Sequence, residues 1–167
     1  MLVTILTDAS HCPETKSAGY GYWIVSDRGH IKGGAEFKST VKNIGHAEIM
    51  AIINALYCAI QARIAQKGDT ILVQSDSTLA LNILKYRNKK EEYGYLIKEW
   101  RRLTGKMGNV IYRHVKAHSG VQDARSYANR YCDEIARASM RRMREKNPVN
   151  SELLTGWVHK QEWSKDV

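Results

Sequence analysis

The sequence predicts an α/β fold, one domain whose open sheet is covered by helices. Two observations carry that expectation. Five short runs with strand character fall at residues 2–8, 19–26, 31–37, 70–75 and 109–115, bounded by turn residues. The stretches after the third, fourth and fifth of them carry apolar residues at helical spacing. A chain of 167 residues is long enough for one well-buried core and short for two.

The elements follow in order. The first strand, Leu2-Val3-Thr4-Ile5-Leu6-Thr7, closes on Asp8, and a loop over 11–18 leads to the second. The turn Asp27-Arg28-Gly29-His30 joins the second strand to the third. From Ala47 to about Gln66, Ile49, Ile52, Ile53, Leu56, Ile60 and Ile64 recur at helical spacing, and Lys67-Gly68-Asp69 supplies the stop. The fourth strand, Thr70-Ile71-Leu72-Val73-Gln74-Ser75, closes on Asp76. Helices are expected from Ser77 to about Tyr86 and from about Glu92 to Leu103, then the fifth strand. A long last helix runs from about Asp123 to Arg144, with Ala128, Tyr131, Ile135 and Ala138 on one stripe, until Asn147-Pro148 ends it. The domain is thus placed at 1–146. The tail 147–167 carries Trp157, Val158 and Trp163, and three roles stay open for it: packing on the domain, docking a protein partner, or self-association.

Composition narrows the function. Lys and Arg number 26 against 17 Asp and Glu, a net charge of +9 that favours a polyanionic partner. Cys12, Cys58 and Cys132 include no CxxC pair, which argues against a zinc site or a disulfide framework and fits a reducing compartment. The start MLVTILTDAS has no basic leader followed by a long apolar run, and no apolar stretch reaches the roughly 18 residues of a membrane span, so a cytoplasmic protein with no membrane partner is expected.

Four carboxylates stand where chemistry is expected. Asp8 and Asp76 end strands, at the edge where open α/β sheets place their sites, and Glu48 and Asp133 lie on helices. Carboxylate oxygens suit hard divalent cations, and a pair of such ions about 3.5–4 Å apart can activate water and stabilise a leaving oxygen in phosphodiester cleavage. Singly, each has a plainer reading: Asp8 as a turn residue, Asp76 as the cap of the next helix, Glu48 as a first-turn acid and Asp133 as a surface acid. Asp123 reads as the cap of the last helix, and His46 and His114 as structural.

The motifs around these residues resemble ribonuclease H of type 1, within the ribonuclease H-like superfamily. They are Thr7-Asp8-Ala9-Ser10 with Gly19-Tyr20-Gly21; Ala47-Glu48-Ile49-Met50-Ala51; Ser75-Asp76-Ser77; His114-Val115-Lys116-Ala117-His118-Ser119-Gly120; and Asn129-Arg130-Tyr131-Cys132-Asp133-Glu134-Ile135-Ala136. The resemblance covers about residues 1–143 and implies a five-stranded mixed sheet flanked by helices. It also implies an endonuclease that cleaves the RNA strand of RNA–DNA hybrids with two Mg2+ ions, or Mn2+ in their place. On that pattern Asp8 bridges both ions, Asp133 joins it on the ion that activates water, and Glu48 and Asp76 hold the second. His118 matches a mobile histidine that assists proton transfer or product release.

The chain departs from the pattern in two places. Family members commonly carry asparagines just before the helix glutamate, where they contact the minor groove and the 2′-hydroxyls of RNA; here Ile44 and Gly45 stand there, with Asn43 the nearest amide. Backbone groups at Gly45, with Asn43 and Ser10, are the expected substrate contacts. The extra basic helix that some members use as a substrate handle is absent. In its place, Lys85 to Lys106 holds eight basic and three acidic residues with Tyr86, Tyr93, Tyr95 and Trp100 interleaved, so Lys89, Lys90, Arg101 and Arg102 are candidates to grip phosphates. The alternative for this segment is a helix with aromatics in the core and charges in water. For the whole chain, the competing functions are a superfamily nuclease on another duplex, such as branched DNA, and a catalytically silent nucleic-acid-binding module.

Overall fold

The computed structural model of the chain describes residues 1–88, 90–116 and 124–146. In chain order it holds β1 (Leu2–His11), β2 (Ala18–Ser26), β3 (Gly29–Glu36), α1 (Ile44–Gln61), β4 (Thr70–Ser75), α2 (Thr78–Tyr86), α3 (Lys90–Thr104), β5 (Asn109–His114) and α4 (Ala124–Lys146). The strands form one mixed sheet in the order β3-β2-β1-β4-β5, antiparallel from β3 to β1 and parallel from β1 to β5. Asp123, His118, Lys89 and the tail 147–167 lie outside the described residues.

Each sheet face buries a different set of side chains. On one, Val3, Ile5, Ile24, Ile71 and Val73 pack against α1, α2 and α3 in the main core. On the other, Leu6 and Val115 meet Ala128 and Cys132 of α4, with Trp23 and Tyr131 against them. Trp23 also meets Tyr131 and Tyr127 edge-on, at ring-centre distances of 5.3 and 5.7 Å. The residue alternation of β1 sorts the two sets: Val3 and Ile5 face α1, while Leu6 faces α4.

Helix α1 explains why an apolar helix passes the length and composition test for a membrane span and yet belongs to a core. It is buried on nearly every side, with Ile49, Ile52, Ile53 and Leu56 fully enclosed. Its limits differ from those the sequence suggests. Asn43 starts it three residues early by accepting from the His46 N–H at 3.0 Å. It stops at Gln61 because Arg63 takes a left-handed conformation (φ 60°) and the Ile64 and Ala65 N–H groups fold back onto Ala59 O. Ile64 therefore reaches the core from a turn and not from a continued helix.

Glycines let α4 lie against the sheet. A Cβ on Gly19 would stand 2.5 Å from Met140 N and 2.7 Å from Ala136 O, and one on Gly21 would overlap the Cys132 carbonyl oxygen. No larger residue fits this approach without moving the helix. Because Cys132 precedes Asp133, that approach also fixes where Asp133 stands.

At the opposite pole, Arg28 in the β2–β3 turn clamps the segment before β4. Its guanidinium donates to both oxygens of Asp69, at 2.5 and 3.0 Å, and to Ile64 O at 2.9 Å. Asp69 is enclosed and also accepts from the Gln66 N–H at 2.7 Å. These bonds, the Arg28 one first, hold the Asp69 carboxyl at about 2.

Gly21→Ala is expected to lower stability by about 1–3 kcal/mol, the usual range for overpacking, and to displace Asp133 from Asp8. Urea unfolding measures the first effect, and an unchanged midpoint would show that α4 does not need the close approach. Asp69→Asn should remove about 1.5–3 kcal/mol at pH 7, where a charge-assisted bond is lost. A depressed carboxyl stabilises above its unfolded value near 3.9 and loses that effect as pH falls through about 2. The cost of Asp69→Asn should therefore shrink in unfolding curves taken at pH 2.5, and equal costs at both pH values would dismiss the ionised pair.

Candidate active site

Strands β1 and β4 run parallel, and their last paired residues are Leu6 and Gln74. Two places further along that register, Asp8 and Asp76 come side by side, at a strand spacing of about 4.8 Å. Asp8 remains in the sheet because β1 continues, paired with β2, to His11; it sits inside the strand where the sequence suggests a strand end. Asp76 lies in the turn that leaves β4. That turn is braced: Ser75 Oγ accepts from the Ser77 N–H at 3.0 Å, and a ring nitrogen of His114 lies 3.2 Å from Asp76 O. The cap of α2 is Ser77, which accepts from the Ala80 N–H at 3.1 Å, so Asp76 is not the helix cap.

Glu48 enters from the first turns of α1 and is 6% exposed. Ligand oxygens of Asp8, Glu48 and Asp76 all lie within 4.8 Å of one another. At that distance two full negative charges repel by roughly 3 kcal/mol even with an effective dielectric of about 20. Burial, followed by the charges of Asp76 and Asp133, pushes the Asp8 carboxyl up to about 8. Burial also raises Glu48 well above the usual carboxylate range, reinforced by Asp8 and Asp76. The Ala9 N–H works against both shifts, donating to Asp8 Oδ1 at 2.9 Å.

Asp133 is the fourth carboxylate, half-buried on α4. It lies near enough for its charge to act on Asp8, and its Oδ2 pairs with Arg137 one turn later at 3.0 Å. The structure thus brings three of the expected carboxylates into one cluster and sets the fourth beside Asp8, turned partly toward a cation. Arg137 escapes a reading of motifs alone, although Asp133 and Arg137 stand at the i,i+4 spacing that pairs side chains on a helix.

This donor set fits hard divalent cations. It consists of carboxylate oxygens, and Glu48 Oε2 is buried with no hydrogen-bond partner among the described residues. A bound cation would satisfy that oxygen and reverse the repulsion that keeps protons on Asp8 and Glu48.

The other expected site residues fall in different places. Ser10 is half-buried two residues beyond Asp8, on the same strand face. The Asn43 side-chain oxygen is engaged in capping α1. Gly45 is buried, where a Cβ would stand 3.1 Å from both Leu79 Cδ2 and the Tyr93 hydroxyl, while Ile44 is 48% exposed. His46 serves the fold, its ring tilted by 36° against that of Tyr93 with centres 4.5 Å apart. Helix α3 uses Tyr93 and Trp100 in the core, with Trp100 Nε1 donating to the Tyr112 hydroxyl at 2.8 Å. Tyr86, by contrast, is exposed beside Lys85. Arg101 is exposed, but Arg102 donates to Glu99 at 3.1 Å and is half-buried. Both arginines lie at the end of α3 that leads to the start of β5, about 12 Å along the helix from Tyr93 and away from the carboxylates. Lys90 opens α3 at the nearer end.

A family model described as RNase H matches residues 2–141. Among curated proteins no sequence match is found. Solved structures share the fold. RNase H1 from the halophilic archaeon Halobacterium salinarum NRC-1 superposes with a TM-score of 0.65 at 20% identity, over 85% of this chain and 99% of that one. The N-terminal RNase H domain of Rv2228c from Mycobacterium tuberculosis gives 0.65 at 18% identity, over 87% and 97%. LC11-RNase H1, in complex with an RNA/DNA hybrid, gives 0.64 at 18%, over 84% and 97%.

The carboxylate cluster makes metal-free stability depend on pH. The folded protein holds a proton on Asp8 up to about pH 8, whereas the unfolded chain releases it near 3.9, so stability should fall as pH rises between those values. Melting temperatures in EDTA should decline from pH 5 to pH 8, and Asp76→Asn should lessen the decline. Millimolar Mg2+ at pH 8 should recover much of the loss. A flat profile in EDTA would mean that the carboxylates are not mutually strained.

Proposed function

Since the chain belongs to the ribonuclease H family of nucleases, we propose that it is an endonuclease that cleaves the RNA strand of RNA–DNA hybrids by metal-dependent phosphodiester hydrolysis. The observation that carries this reading is the convergence of Asp8, Glu48 and Asp76, with Asp133 near enough for its charge to act on Asp8, at the carboxyl edge of the parallel strands. Two Mg2+ ions held by these four residues, or Mn2+ in their place, would supply an activated water and neutralise the leaving oxygen. Asp8 is central because it neighbours each of the other three. Rigid backbone on either side of it, the β1–β2 ladder and the capped start of α1, sets the carboxylates in advance of any ligand.

Substrate recognition rests on charge and on the rim of the cluster. A net charge of +9 suits a duplex polyanion. Ser10 and Lys90 are proposed contacts with the nucleic acid, and His118 is proposed to assist proton transfer or product release. One observation favours a second reading, the same hydrolysis on another duplex such as branched DNA. Ile44 presents an apolar side chain to solvent and Gly45 is enclosed, at the places where the resemblance calls for amides that read RNA.

Side-by-side cleavage of an RNA–DNA hybrid, a DNA duplex, an RNA duplex and a four-way DNA junction separates these readings. The hybrid should be cut only with Mg2+ or Mn2+, leaving the DNA strand intact. Asp76→Asn should abolish cutting, by at least about 10³-fold, without lowering the metal-free melting temperature. Preference for the junction would replace the first reading with the second, and near-normal cutting by Asp76→Asn would remove Asp76 from the site.

A further inference from the structure

We propose that Arg137 is a positioning residue that restrains Asp133 and so weakens the affinity of the carboxylate cluster for divalent cations. The inference rests on the reading of that cluster as a metal site. Three carboxylates have ligand atoms within 4.8 Å of one another, and Asp133 is not among them. It is held instead by its pair with the Arg137 guanidinium, through Oδ2 at 3.0 Å, while its charge acts on Asp8. Arg137 and Asp133 stand one turn apart on α4, a helix fixed against the sheet by the glycine contacts, so the pair forms without any movement of the backbone.

The charge of Arg137 has two consequences for a cation. It partly neutralises Asp133 in the metal-free protein, so the cluster without metal is less strained than four unpaired carboxylates would be. It also places a positive charge one residue away from an incoming dication. Both effects favour the metal-free state. The pair is partly open to water, with Arg137 50% and Asp133 24% exposed, so its effect on stability is small while its effect on a nearby dication persists.

Binding of Mn2+ to the whole chain, followed by the electron paramagnetic resonance of the free ion at fixed ionic strength, tests the proposal without reference to cleavage. Arg137→Gln should bind Mn2+ about three- to tenfold more tightly than the unaltered chain, the effect of removing one nearby charge. Arg137→Lys keeps the charge and should stay within about twofold. Arg141→Gln, one turn further along α4 and exposed, should change affinity less than Arg137→Gln does. Melting temperatures in EDTA should be nearly the same for all three, which separates the effect from unfolding. If the unaltered chain binds Mn2+ and Asp133→Asn weakens it, but Arg137→Gln binds no more tightly, the proposal fails and the metal site stands. Failure of the unaltered chain to bind Mn2+ would overturn both.

Discussion

Mutual repulsion sets the terms for this site. Carboxylates held within 4.8 Å of one another separate if their supports allow it, so the supports must be stiff. Asp8 lies inside a strand paired on one side along its length with β2. Asp76 lies in a turn whose backbone is tied by Ser75, Ser77 and His114. Glu48 lies on a helix that is enclosed by the main core and capped by Asn43. In each case the bonds that fix the backbone beneath the carboxylate belong to the fold. Glu48 Oε2 itself has no hydrogen-bond partner among the described residues.

The fourth support is different in kind. Asp133 reaches the cluster only because α4 approaches β2 across Gly19 and Gly21, where backbone meets backbone. A helix held off by side chains at those positions would carry Asp133 away from Asp8. The second core, with Leu6, Ala128 and Cys132, is small because that approach leaves little space between helix and sheet. Trp23, Tyr127 and Tyr131 fill the wider part of the same gap.

The segment from Lys85 to Lys106 shows how one sequence pattern can serve two purposes. Tyr93 and Trp100 go to the core and pin α3 beneath α1, and Arg102 is engaged with Glu99. Among the described side chains, the basic and aromatic ones left facing water are Lys85, Tyr86, Arg87, Lys98, Arg101 and Lys106. The exposed basic side chains are therefore spread from the end of α2 to the turn after α3, with Tyr86 the exposed aromatic among the described residues of the segment.

Much of this was legible in the residues. Periodicity placed all five strands and four helices, because an apolar stripe must match the period of its element to be buried. Asp8, Glu48 and Asp76 could be singled out because each directly follows or opens an apolar run, and position along a strand or helix is a local property. Where elements begin and end depended on less visible bonds, such as the Asn43 cap and the left-handed Arg63. The tertiary structure alone decided what long-range packing controls: that β1 outlasts Asp8 because β2 pairs with it, that Gly45 is enclosed by Leu79 and Tyr93, and that α4 brings Asp133 beside Asp8. None of these follows from spacing along the chain, since each requires two distant segments to be brought within bonding distance, and that distance is set by the residues, glycines above all, that lie between them.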